Sequence, residues 1–115
     1  MTSCLSFTGV GNSAFPLLDL DPTATVYCCD FSQRAVSLVE SRRAQLPLDK
    51  ANRIRPFVCD VSREPMANTH IPPGCVDVCT MVFVLSAIAP ERMPDAIRNV
   101  SSVMRTGGEG RVCLR

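Results

Sequence analysis

Three observations predict an α/β domain with a mainly parallel sheet of about five strands and flanking helices. Short β-branched runs alternate with helical patterns along the chain. Two of those runs close on the same unit, an aspartate followed two residues later by a serine, at Asp30 and Asp60. Residues 76–85 (VDVCTMVFVL) are nearly continuous in apolar side chains, as expected of a parallel strand covered on both faces. With 115 residues and 46% hydrophobic content the chain suffices for one domain and is too short for two. Its formal net charge of +1 excludes the overall basic field of a self-sufficient nucleic-acid binder.

The elements follow in order. Residues 4–7 alternate weakly and predict a poor first strand, leading into a glycine turn at 9–14, the two together spanning 4–14. Residues 25–29 (TVYCC) form a compact β-branched and aromatic run closed by Asp30, and Ser32 caps the helix that follows. That helix is expected to turn Ala35, Val36, Leu38 and Val39 toward a core and to be closed off by Pro47. A third strand spans 54–59 and ends at Asp60, with Ser62 placed as another helix-entry cap. The strand at 76–85 cannot lie at an edge. After Pro90, the residues Met93, Ala96, Ile97, Val100, Val103 and Met104 recur at helical spacing, and Gly107 is expected to end that helix. A last strand is predicted at 111–114.

Seven cysteines, at 4, 28, 29, 59, 75, 79 and 113, are an odd number, and most sit within apolar runs. They are expected to be buried thiols in a reducing compartment, not zinc ligands: no CxxC occurs, and adjacent Cys28 and Cys29 point to opposite faces of a strand. His70 has no second histidine to pair with and is expected at the surface. No segment reaches the roughly eighteen apolar residues of a membrane helix, and the N-terminus lacks a signal-peptide pattern, so the expectation is an intracellular, cytoplasmic protein without membrane or metal partners.

Gly9-Val10-Gly11-Asn12-Ser13-Ala14 fits G-x-G-x-x-G/A, a turn that brings backbone close to a ligand. Asp30 follows Gly11 by nineteen residues at the next strand end, where a carboxylate accepts from ribose hydroxyls. Asp60 ends a third strand, placed to meet a base. The plain alternative makes the glycines a turn and the aspartates helix-entry caps. The coincidence of three features in order favours a nucleoside-cofactor site. These features alone do not separate a dinucleotide from S-adenosylmethionine.

Residues 9–18 (GVGNSAFPLL), 27–36 (YCCDFSQRAV), 57–60 (FVCD) and 76–88 (VDVCTMVFVLSAI) together resemble the S-adenosylmethionine-dependent methyltransferase-like family that forms 3-methylcytidine in the anticodon loop of tRNA. Family segments of the type G-x-G-N-x-x-F-P-L-L, Y-A-C-D-F-S-x-R-A-V, F-V-C-D and V-D-V-V-T-x-x-F-V-L-S-A-I are matched here by residues 9–18, 27–36, 57–60 and 76–88, with Pro90 and Met93 beyond. The resemblance covers residues 9–115 and implies a Rossmann-like class I methyltransferase fold, S-adenosylmethionine as cofactor and tRNA as partner. Carried over by position, it implies that Gly9 and Gly11 approach the methionine part, Asp30 holds the ribose, Asp60 and the Val61 backbone take the adenine, and Val82 packs beside the cofactor. It names no catalytic base; Asp77, early in its strand, is expected to be structural.

The chain departs from the family pattern before the glycine turn. Leu5, Ser6, Phe7 and Thr8 stand where the family has an acid, an apolar residue, a glycine and a cysteine, so Phe7 is expected to crowd the ligand's approach. The family also continues beyond Arg115. The expectation is a single, partial methyltransferase domain over 1–115, with a sheet edge open to a protein partner. Its function is either cytidine N3-methylation of tRNA or, as a fragment, a non-catalytic remnant, with an NAD-dependent oxidoreductase as the third reading. Arg34, Arg42, Arg43, Lys50, Arg53 and Arg55 cluster in mid-chain, where a solvated helix face is preferred to a phosphate-binding patch.

Overall fold

The computed structural model describes residues 3–7, 14–82 and 88–113. Five strands, β1 (Ser3–Ser6), β2 (Thr25–Asp30), β3 (Ile54–Val58), β4 (Val76–Val82) and β5 (Met104–Cys113), form one sheet in the order β3-β2-β1-β4-β5. Every neighbouring pair is parallel. The helices are α1 (Ala14–Leu20), α2 (Gln33–Arg43), the short α3 (Leu48–Ala51) and α4 (Met93–Val103), the last preceded by a 3₁₀ turn at Pro90–Arg92. The expected parallel α/β architecture is present, and β4 is flanked on both sides as its apolar run requires.

The period-two alternation of the strands sorts side chains into two cores. Leu5, Phe7, Tyr27 and Cys29 point to one face and pack with Ala96, Val100 and Val103 of α4 and with Cys59, Val61, Met66 and Ile71 of the segment after β3. Cys4, Val26, Cys28 and Ile54 point to the other, against Leu18 of α1 and Val39 of α2. Cys28 and Cys29 thus face opposite ways, as their adjacency predicts. The described strand β1 is the middle of the sheet, with Leu5 and Ser6 fully buried, although its sequence pattern is weak.

Several local expectations are corrected. Leu38 is 47% exposed, because α2 turns only Val36 and Val39 fully inward. Helix α2 ends at Arg43 with Ala44 as its cap, and Pro47 instead starts α3. Ser62 caps no helix: residues 61–63 form a turn, since the chain there is held by side-chain bonds to α4. Helix α4 stops at Val103, well before Gly107; Met104 already pairs with Val76 and begins β5, so sheet pairing overrides the glycine signal. Ile97 lies 55% exposed, because α4 turns Ala96, Val100 and Val103 inward and leaves Ile97 on its outer flank. The predicted strand continuation at 83–85 lies outside the described residues.

Asp77 is structural, as expected. Its Oδ2 accepts from the Ser3 backbone N–H at 2.9 Å and its Oδ1 meets Arg105 Nε at 3.1 Å, tying β4 to the starts of β1 and β5. Arg53 donates to the carbonyls of Leu18, Asp21 and Ala24, pinning the α1–β2 connection to the start of β3.

Cys4, Cys28, Cys29, Cys59 and Cys79 are buried free thiols. Burial pushes Cys28 and Cys79 up from 9.0 to about 12. Both folded values lie above the unfolded one, so their contribution to stability is complete below pH 9 and is lost as the pH rises toward 12, where only the unfolded chain releases these protons. Urea denaturation at rising alkaline pH is therefore expected to show falling stability, with a shallower slope in a Cys28→Ala/Cys79→Ala variant than in the native chain.

Candidate cofactor site at the strand ends

Because the strands are parallel, their carboxyl ends share one edge of the sheet, and the topology reverses between β1 and β4. Ligands of such sheets bind in the crevice outside that edge at the reversal. The register fixes what meets there. Ser6 is level with Cys28 and Thr80, so Asp30 reaches two residues past the end of β1. Asp30 pairs with Val58, and its carbonyl accepts from Cys59 N–H at 2.9 Å, which brings Asp60 to the same edge. Val82 ends β4 opposite Cys113. Gly9 and Gly11 lie outside the described residues.

Asp30 is half-buried. Its Oδ1 accepts from Ser32 N–H at 2.8 Å, while Ser32 Oγ accepts from Ala35 N–H at 3.3 Å as the N-cap of α2. Among the described residues nothing donates to Asp30 Oδ2, so capping and ligand binding are compatible on one carboxylate. Phe31, which sequence reasoning quoted only as part of a motif, is 71% exposed beside it. Exposure of so large an apolar ring next to the Asp30 carboxylate is the one structural signal that singles it out at this edge.

Asp60 organises a tight turn. Its Oδ1 accepts from Ser62 N–H at 3.1 Å and Ser62 Oγ at 2.6 Å, and its own N–H donates to Glu64 Oε1 at 3.0 Å. Arg63 Nε stands 3.7 Å from Oδ2, an exposed pair of small energetic weight. Val61 buries its side chain in the core, its carbonyl accepts from Asn99, and among the described residues its N–H has no acceptor. The turn therefore offers one carboxylate oxygen and one backbone donor side by side.

Two thiols sit beneath this edge. Cys29 Sγ donates to the Cys59 carbonyl at 3.6 Å and Cys59 Sγ to the Glu64 carbonyl at 3.4 Å. The contact with Cys59, together with burial, raises the Cys29 pKa and keeps it a neutral donor. Phe7 is only 4% exposed and belongs to the core that also contains Tyr27, Cys29, Cys59 and Val61. Where the sequence sets this ring in the ligand's path, the structure packs it in the interior.

The mid-chain cations are mostly engaged within the fold. Arg43 Nε donates to the Ala51 carbonyl at 2.7 Å, Lys50 bonds Asp19 at 2.6 Å, and Arg42 lies 4.2 Å over the Phe15 ring. A cavity of about 310 Å³ lined by Glu40, Arg43, Leu46 and Leu48 belongs to the α2–α3 region, apart from the strand ends. Among the described residues no His, Cys, Asp and Glu cluster forms a metal-ligating group. His70 is exposed, as expected, and stacks on Phe57 with ring centroids 4.4 Å apart.

A family profile described as a methyltransferase domain matches residues 8–109. The chain is 46% identical over 99 residues to the tRNA N(3)-cytidine methyltransferase METTL6 of Rattus norvegicus, covering 86% of this chain and 33% of that protein. It is 39% identical over 100 residues to the tRNA N(3)-methylcytidine methyltransferase trm141 of Schizosaccharomyces pombe, covering 87% and 38%. The chain thus spans about a third of the length of the curated relatives it matches. Among solved structures, the glycopeptide N-methyltransferase MtfA complexed with (S)-adenosyl-L-homocysteine superposes with a TM-score of 0.79 at 18% identity, covering 96% of this chain and 44% of that one. A putative S-adenosyl-L-methionine-dependent methyltransferase from Methanococcus maripaludis gives 0.76 at 16% identity, covering 99% and 49%.

Proposed function

The chain belongs to the methyltransferase-domain family, and from that premise we propose that it is an S-adenosylmethionine-dependent domain of a tRNA cytidine N3-methyltransferase. The observation that carries the reading is the alignment of Asp30 and Asp60 at adjacent strand ends, each with an acceptor oxygen to offer. The donor set fits the cofactor. Vicinal ribose hydroxyls need an acceptor, which Asp30 Oδ2 supplies. An adenine edge needs a donor and an acceptor side by side, which Val61 N–H and the Asp60 carboxylate supply, and its face needs an apolar wall such as Phe31. Gly9 and Gly11 would let the backbone approach the methionine part, and Val82 would pack beside the cofactor at the end of β4.

Bound there, S-adenosylmethionine supplies an already activated methyl group. The chain's own task is positional: to hold ribose and base so that the donor lies in line with the acceptor nitrogen. No side chain of this edge is required as a base in that account. The dinucleotide oxidoreductase reading loses its support, because the glycine turn that suggested it falls within the matched methyltransferase domain.

The proposed substrate is tRNA, as in the names of the relatives, which are tRNA cytidine methyltransferases, and the proposed compartment is the cytoplasm. Free buried thiols fit a reducing cytoplasm. No helix among the described residues is long and apolar enough to cross a membrane. The proposal keeps a protein contact at a sheet edge and assigns it to β5, since the other edge strand, β3, carries Pro56, which cannot donate to an added strand. The test is methylation of unmodified tRNA by the purified chain with isotope-labelled S-adenosylmethionine, read as 3-methylcytidine by nucleoside mass spectrometry. Label in 3-methylcytidine is expected; a folded chain that binds cofactor yet transfers no label would leave a non-catalytic remnant.

A further inference from the structure

Asn99 is a polar residue on an apolar helix face. It lies three positions after Ala96 and four before Val103, both fully buried, and one before Val100. Its side-chain amide is nonetheless fully used. Nδ2 donates to the Val61 carbonyl at 2.9 Å and to the Glu64 carbonyl, and Oδ1 accepts from Met66 N–H at 2.9 Å. Three backbone groups of the turn after β3 therefore converge on one side chain from α4, across more than thirty residues of chain. The turn has no helix of its own; at its start Cys59 is tied to β2 through the Asp30 carbonyl and Cys29, the bonds from Ser62 to Asp60 and from Cys59 to Glu64 set its internal shape, and the side-chain bonds from Asn99 tie its later part to α4.

We infer that Asn99 is the positioning residue for base recognition: by gripping Val61, Glu64 and Met66 it sets where the Asp60 carboxylate and the Val61 N–H stand relative to Asp30. This rests on the adenine role proposed for that turn. Val61 is the link, since its carbonyl, held by Asn99, and its N–H belong to the two peptide groups that flank one Cα. Releasing the carbonyl frees the residue to rotate its donor away from the base. Neither an aspartate nor an alanine replaces the grip: aspartate keeps the acceptor for Met66 but has no donors for the two carbonyls, and alanine has neither.

The experiment compares binding of S-adenosylhomocysteine and S-inosylhomocysteine, which differ at the base edge, to the native chain and to Asn99→Ala, Asn99→Asp and Asp30→Ala. Circular dichroism measures the folded fraction of each. Asn99→Ala and Asn99→Asp are expected to weaken S-adenosylhomocysteine about tenfold while binding of the inosyl analogue changes little, so that the preference between them collapses. Asp30→Ala, acting on the ribose, is expected to weaken both ligands in proportion. Amide exchange at Met66 is expected to quicken in Asn99→Ala without any ligand. Equal weakening of both ligands by the Asn99 variants, or unchanged exchange at Met66, overturns the positioning role while the cofactor reading stands on the Asp30 result. A folded native chain that binds neither ligand overturns the cofactor reading, and this inference falls with it.

Discussion

Asp30→Ala is expected to weaken S-adenosylhomocysteine binding by at least about a hundredfold, since two hydroxyl donors lose a charged acceptor and each such bond contributes about 1.5–3 kcal/mol. Isothermal titration of the purified chain checks it. The substitution also removes the acceptor of the Ser32 N–H, a part-buried bond worth about 1 kcal/mol to the start of α2. Asp30→Asn separates the two effects: it keeps a neutral oxygen for Ser32, so stability is retained while the charge-assisted part of binding is lost. Native affinity in the alanine variant would mean that the ribose is held elsewhere.

Phe7→Ala is expected to destabilise the fold by about 3–5 kcal/mol, the range for an aromatic ring removed from a packed core. Against a total of about 5–15 kcal/mol for a domain, that leaves a chain close to unfolding. Phe7→Leu preserves most of the apolar volume and is expected to cost only about 1 kcal/mol. Urea denaturation followed by circular dichroism distinguishes this from the alternative drawn from sequence. A ring standing in the ligand's path would give the opposite pair of results, with stability unchanged on truncation and ligand affinity increased. The burial of Phe7 among Tyr27, Cys29, Cys59 and Val61 supports the first outcome.

The parallel architecture was legible because β2 and β4 carry strong β-branched or continuous apolar patterns, and because the strands β2 and β3 each close on an aspartate followed two residues later by a serine. The aspartates at those ends were legible for the same reason, since a strand boundary in a parallel sheet is also a ligand edge. Strand β1 was nearly hidden. Ser3, Cys4, Leu5 and Ser6 give little contrast between faces, and the strand is held by neighbours on both sides more than by its own propensity. The end of α4 was misread because Gly107 outweighed a pairing with Val76 that no local pattern records. Asn99 was invisible for a related reason. A polar residue on a helix face reveals nothing of the three backbone groups it meets until the turn after β3 is folded against it.

The central position of β1 has a consequence for how the domain is made. Its four residues are paired on one side with Thr25–Cys28, and three of them, Cys4–Ser6, on the other with Val78–Thr80; the partners of Cys4 lie 22 residues away in the one strand and 74 in the other. The middle of the sheet therefore has a high contact order and cannot close until the fourth strand has left the ribosome. Without β4, the side of β1 that meets Val78–Thr80 is an unpaired strand edge, the kind of surface that invites pairing with another chain.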